Sequence, residues 1–193
     1  MISLDCHSLD ANPLLPPDWK QEVAELADGP DLISLIAEDD WHFSVVTGNV
    51  VTRRLDWLWR LYHGAFREFA NIALAMNLVP SNRRDATVTL NLLAGTGATN
   101  EWHSDACAVT GVLFATKHGE GHGGMLQFRD EAGTVSEVRP IAGHFVCFPG
   151  SIEHRVAPLQ IGDKRISFPM TFYERAESQA FASPGERYTL PLD

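Results

Sequence analysis

Positive charge is scarce in this chain: 15 Lys and Arg stand against 25 Asp and Glu, for a formal charge of -10. That balance excludes a nucleic-acid partner, because neutralising phosphates takes a basic face. A small anionic ligand stays open, since one local arginine can act inside an acidic protein. Cysteine is also sparse. Cys6, Cys107 and Cys147 are odd in number and scattered, so they outline no disulfide framework. They fit a reducing cytosol, and a cytoplasmic location is expected. No apolar run approaches the roughly 18 residues of a membrane helix, so no membrane partner is expected. The first residues, Met1 to His7, have neither a basic start nor an apolar core of signal length. Internal repeats and linker-like stretches are absent. The 193 residues are therefore expected to form one domain. Within it, residues 1–84 would be a support region, 85–175 a core and 176–193 a closing tail.

The support region reads as helical with some strand. Residues 1–16 are rich in Pro and Asp and are expected to lie extended. Pro17 and Asp18 open a helix over Trp19–Ala27, closed by Gly29 and Pro30. Asp31 is placed to cap a second short helix over 32–37. Residues 43–51 read as strand, with Gly48 and Asn49 as a turn. The longest helix expected covers 52–76. Its stripe of Leu55, Leu58, Tyr62, Phe66, Phe69, Ala73 and Met76 recurs at three and four, and Asn77 and Pro80 stop it.

From Asp85 the texture changes. Short β-rich runs at 86–93, 109–116, 125–129, 134–138, 144–148, 154–157 and 165–173 alternate with Gly- and Pro-rich breaks. Many short strands at this spacing indicate an antiparallel sandwich or barrel.

Chemistry-bearing residues fall at the ends of these runs. His103 and Asp105 stand two apart, and on an extended strand such residues aim at one point. His154 follows the turn formed by Phe148, Pro149, Gly150 and Ser151. Arg165 and Ser167 share one strand face further on. Two imidazoles and one carboxylate on one face of an octahedral metal leave three positions open, which suits non-haem Fe(II). An arginine adds a planar fork for a distant carboxylate, with the Ser167 hydroxyl as a second donor.

These pieces resemble the Fe(II)- and 2-oxoglutarate-dependent oxygenases. The matching segments are His103 to Asp105, Gly123 to Phe128, Gly143 to Phe148, Glu153 to Val156 and Gly162 to Ser167. The resemblance implies a mostly β fold with N-terminal helices around a double-stranded β-helix (jelly-roll) core. It implies that His103, Asp105 and His154 ligate Fe(II), and that Arg165 and Ser167 hold 2-oxoglutarate. The implied reaction consumes O2, turns 2-oxoglutarate into succinate and carbon dioxide, and hydroxylates a substrate; the compact, acidic chain, with no second domain and no basic groove, points to a small molecule such as an amino acid or a biosynthetic intermediate. Halogenases of this family have Gly or Ala in place of the carboxylate, so Asp105 points to hydroxylation; desaturation, epimerisation and ring closure stay open. Two alternatives are a peptide or protein hydroxylase and a cupin-like metal-binding sensor without turnover.

Several neighbours carry secondary expectations. Asn91 could donate to the keto acid, or be a polar group on a solvated face. Arg129 is the candidate for substrate binding. Lys164 is the rival of Arg165. Cys107 is expected to be a small buried hydrophobe. Trp102 and Arg155 should point away from the metal. His118 and His122 should sit on a mobile loop near the site, His144 on a strand, and His7, His42 and His63 away from any partner at ligand spacing. Residues 95–100 and 117–124, with their Gly hinges, are the expected covering loops.

Overall fold

The computed structural model of the chain describes residues 2–6, 14–37, 41–81, 83–160 and 162–175. The expectations for His7 and for the tail beyond Arg175 lie outside the described residues. The elements run β1 (Ile2–Asp5), α1 (Trp19–Ala27), β2 (Ile33–Ala37), β3 (Trp41–Val46), α2 (Gly48–Arg54), α3 (Asp56–Leu61), a π-helical turn (Tyr62–Phe66), α4 (Arg67–Leu74), β4 (Val79–Pro80) and α5 (Arg84–Thr87). They continue as β5 (Leu90–Gly95), β6 (Asn100–His103), β7 (Val109–Phe114), β8 (Leu126–Arg129), β9 (Val135–Val138), β10 (His144–Pro149), β11 (Glu153–Val156) and β12 (Lys164–Tyr173).

Two antiparallel sheets face each other. The larger has the order β1-β10-β7-β12-β5-β3-β2, with β4 paired to β12; the smaller has the order β6-β11-β8-β9. From β5 onward the chain alternates between them, with β8 and β9 forming a hairpin within the small sheet. β5, β7, β10 and β12 belong to the large sheet, and β6, β8, β9 and β11 to the small one. That alternation is the double-stranded β-helix, and the mostly β, jelly-roll expectation is met.

Side-chain alternation along β12 shows how one strand serves two purposes. Ile166, Phe168, Met170 and Phe172 pack in the main core with the helices, while Arg165, Ser167, Pro169, Thr171 and Tyr173 line a cavity between the sheets. The helices cover the outer face of the large sheet. Trp19, Val23 and Leu26 of α1 and Leu58, Tyr62 and Phe66 of the following helices share that core with Leu113, Phe145 and Phe172. Phe66 stacks on Phe145 with ring centroids 4.2 Å apart. Trp57 Nε1 donates to Glu22 across the helix layer at 2.6 Å. Tyr62 donates its hydroxyl to the Thr171 carbonyl at 2.7 Å and accepts from the Ser81 amide at 2.5 Å, tying the helices to β12 and to the approach to β5. Among the described residues, no helix is long and apolar enough to cross a membrane.

The chain up to β5 departs from expectation in several places. Residues 32–37 form strand β2 rather than a helix; Ile33 to Ala37 pair with β3 at a sheet edge, and a short apolar run does not fix its own period. Gly48 and Asn49 start α2 instead of turning a hairpin. A Cβ on Gly48 would lie 1.9 Å from the Arg84 carbonyl, so the helix seats closely on that backbone. The helix expected over 52–76 breaks at Leu55 (φ -118°, ψ 64°) and distorts at Gly64 (φ -109°, ψ -105°). Its buried stripe then runs Leu58, Tyr62, Phe66, Ala70, and it ends at Ala75 in the left-handed region. The run 86–93 begins with a helical turn, and β5 starts at Leu90. β1 pairs with β10 and had no signal in its short sequence.

The Phe66–Phe145 stack is the central helix-to-sheet contact, with both rings fully buried. Phe66→Ala should lower unfolding free energy by about 3–5 kcal/mol in urea titrations; a loss under about 1 kcal/mol would show that the helix layer does not depend on this contact.

Candidate metal centre

His103 closes β6, and His154 lies in β11. The two strands pair so that these residues are direct Cα partners, with a register irregularity just beyond. The paired rings are 4.3 Å apart, centroid to centroid. Asp105 lies past the end of β6, not on it, so the strand-parity argument holds for His103 alone. Asp105 is brought to the histidines by a different device: its amide donates to the Gly150 carbonyl at 2.8 Å. Asp105 Oδ1 then lies 4.0 Å from His103 Nε2, and Oδ2 lies 3.6 Å from His154 Nε2. One ligand atom from each of the three residues falls within 4.8 Å of the others.

The remaining ring nitrogens define the tautomers. His103 Nδ1 is 2.6 Å from the Glu101 carbonyl and His154 Nδ1 is 2.9 Å from the Ile152 carbonyl. A carbonyl only accepts, so each Nδ1 carries the proton and each Nε2 presents a lone pair to the cluster. His154 is buried against Phe148, with ring centroids 4.8 Å apart. Burial holds its pKa below the usual histidine value, with His103 adding to the shift and Asp105 opposing it. Two imidazole Nε2 atoms and a carboxylate are a donor set that fits a divalent ion of the Fe(II) class.

Arg165 is the second feature. It is 3% exposed; Nε donates to the Gly124 carbonyl at 3.0 Å and Nη1 to Ser167 Oγ at 2.8 Å. Burial lowers its pKa to about 10, which leaves the guanidinium charged at neutral pH. Arg165 takes part in none of the ion pairs found among the described residues. A buried charge without a counter-ion is costly, and the arrangement asks for an anion in the cavity. Asn91 is nearby on β5: Thr89 donates to its side-chain oxygen at 3.0 Å, which leaves its NH2 group as the donor on offer. His103, Asp105, His154, Arg165, Ser167 and Asn91 all line one cavity of about 570 Å³. Leu35, Phe43 and Val45 form an apolar wall of the same cavity.

Other expectations come out differently. Arg129 is not among the cavity-lining residues. Its guanidinium binds Glu153 at 2.7 and 2.5 Å and stacks on Trp102, because alternation along β8 puts it on the outer face. Arg155 stacks its guanidinium near the same Trp102 and donates to Gln127, so its charged end and Trp102 are turned away from the metal cluster as expected, although Arg155 also borders the cavity. Lys164 reaches outward to Asp28 at 3.7 Å and is no rival to Arg165. Segment 117–124 is anchored rather than free: His118 is buried with Nε2 3.2 Å from the Lys164 carbonyl, and His122 pairs with Asp163 at 2.9 Å. Segment 95–100 is likewise tied down, the Gly97 amide to Leu159 and the Thr99 hydroxyl to Val156. Cys107 is buried as expected, yet it borders the cavity, and burial plus the Asp105 charge pushes its thiol up to about 12.

Three contributors carried no sequence signal strong enough to single them out. Gly124 supplies the carbonyl under Arg165, and at φ 70° it has no room for a Cβ, which would meet His118 and Leu159. Gly150 supplies the carbonyl that holds Asp105. Thr110 donates to the Asp105 carboxylate from β7. Only the glycines could have been flagged, Gly124 inside a matching segment and Gly150 in the turn before His154.

No protein-family profile and no curated protein sequence matches the chain. Solved structures do share its fold. It is similar to an oxidoreductase of the 2OG-Fe(II) oxygenase family from Burkholderia pseudomallei, with TM-score 0.66 and 11% identity over 86% of this chain and 84% of that one. It is similar to the non-heme alpha-ketoglutarate-dependent epimerase SnoN of nogalamycin biosynthesis, with TM-score 0.65 and 15% identity over 100% and 87%. It is also similar to a Trichoplax adhaerens prolyl hydroxylase, solved with a hypoxia inducible factor peptide, with TM-score 0.62 and 12% identity over 94% and 86%. The backbone is thus the jelly-roll that these oxygenases share.

Gly150→Ala tests the support of the cluster. Its Cβ would fall 2.3 Å from the Cys107 carbonyl and 3.1 Å from that of Asp105, so the segment bearing Asp105 must move. Co(II) affinity measured by calorimetry should drop by about tenfold or more; unchanged affinity would mean that Gly150 does not set the position of Asp105.

Proposed function

We propose that this protein is an Fe(II)- and 2-oxoglutarate-dependent dioxygenase that hydroxylates a small molecule, releasing succinate and carbon dioxide. The observation that carries this reading is the buried Arg165, without a counter-ion among the described residues, in the same cavity as the His103, Asp105 and His154 cluster. A metal-binding protein without turnover has no use for that guanidinium; a keto-diacid, chelating through one end and paired at the other, uses both features.

His103 Nε2, His154 Nε2 and the Asp105 carboxylate would hold the iron. Arg165 and Ser167 would take the distal carboxylate of 2-oxoglutarate, a charge-assisted pair in a site that excludes water. The Asn91 NH2 group would donate to its keto-acid end. With iron and cosubstrate bound, the centre supplies dioxygen activation and oxidation of a substrate C–H bond. The protein's own part is orientation: two carbonyl-locked imidazoles, a pinned carboxylate and a fixed arginine need no rearrangement when the ligands arrive. The cavity of about 570 Å³ falls in the range of small-ligand sites, and the apolar wall of Leu35, Phe43 and Val45 suits a substrate with an aliphatic or ring portion. Asp105 occupies the ligand position that a halogenase would leave to chloride.

A screen of amino acids and small acids for stimulated succinate formation tests the activity, with mass analysis for a gain of one oxygen. Succinate should appear only with Fe(II) and 2-oxoglutarate together, and the product should gain oxygen; a product of unchanged mass would replace hydroxylation by isomerisation. Arg165→Ala should raise the KM for 2-oxoglutarate by about a hundredfold, the equivalent of roughly 3 kcal/mol for charged hydrogen bonds. An unchanged KM would overturn the cosubstrate assignment.

A further inference from the structure

The Asp105 carboxylate has a neighbour that the chemistry above does not use. Thr110 Oγ1 donates to Asp105 Oδ2; a carboxylate only accepts, so the hydroxyl supplies the proton. Thr110 is 3% exposed on the inner face of β7. It pairs with Phe148 of β10 on one side and Thr171 of β12 on the other, so its backbone is held by two flanking strands. Its side chain is β-branched and stiff at χ1. The Thr110 oxygen is also 3.3 Å from Cys107 Sγ, which lies 3.3 Å from the Val109 carbonyl. The hydroxyl is therefore pinned on both sides. Asp105 itself is partly exposed and lies outside any strand; the Gly150 carbonyl holds its amide, and Thr110 holds its carboxylate.

We propose that Thr110 is the positioning residue of the metal centre, its hydroxyl holding the Asp105 carboxylate in one orientation so that the group takes a single position on the ion. This rests on the metal-centre reading above. A carboxylate held this way occupies one coordination position. Left free to turn, it could take two and close one of the three positions that a chelating cosubstrate and dioxygen need. The hydroxyl thereby links the rigid large sheet to the one ligand that no strand carries.

The test compares Thr110→Val, which keeps the shape and loses the hydroxyl, with Thr110→Ser, which keeps the hydroxyl. Anaerobic calorimetry with Co(II) and the visible spectrum of the Co(II) protein are the readouts, and neither requires turnover. Loss of an outer hydrogen-bond partner typically weakens a metal site 10- to 100-fold. The Val variant should bind Co(II) more weakly by that factor with an altered spectrum, and the Ser variant should return to within about threefold of wild type with the original spectrum. Should the Val variant fail to fold, Thr110→Ala gives the same comparison without overpacking. Val binding as tightly as wild type, or Ser binding as weakly as Val, would overturn the proposal. A wild-type protein that takes up no Co(II) would overturn the metal-centre reading itself, and this inference with it.

Discussion

One cross-strand pair governs the site: His103 of β6 opposite His154 of β11. Each imidazole is locked by the carbonyl two residues before it, Glu101 for one and Ile152 for the other, so the Nε2 atoms converge without freedom to rotate away. A register slip of one residue in this pair would send one ring to the outer face, where Trp102 and Arg155 now stand. The small sheet therefore serves as a jig. Its outer layer, with Trp102 between Arg129 and Arg155 and with Glu153 on Arg129, keeps the three strands in that register from the solvent side.

The large sheet contributes what the small one cannot. β12 turns Arg165 and Ser167 inward and Phe168 and Phe172 outward, so the residues that anchor the helices also fix the guanidinium. Taking a guanidinium out of water costs several kcal/mol, which its two hydrogen bonds offset only in part. An anion entering the cavity would restore the balance. Preorganised binding sites are often locally under-satisfied in this way, and the stability of the surrounding core tolerates it.

The β-rich half could be read from the sequence because each strand carries its own period-2 pattern and its own breaks. β7, β8, β9, β10 and β12 fall within a residue or two of expectation, and the structure brings His103, Asp105 and His154 into one cluster. What could not be read depends on contacts far away in the chain. Residues 33–37 are strand because β3 lies beside them, not because of their own preference. The long helix breaks at Leu55 and Gly64 while its apolar stripe runs on, since periodicity does not report backbone kinks. Arg129 seemed a substrate ligand until strand parity set it on Glu153, and Thr110 looked like an ordinary strand threonine until β7 placed it against Asp105. Lone polar side chains acquire a role only once a neighbouring strand supplies their partner.

Three side chains from two separate segments, His103, Asp105 and His154, stand where they could share a single ion. Anaerobic iron loading followed by metal analysis tests this most directly. Wild-type protein should retain one Fe(II) per chain, and His103→Ala and His154→Ala should each retain essentially none while keeping the native circular dichroism spectrum. A folded His154→Ala protein that still holds a full equivalent of iron would contradict it.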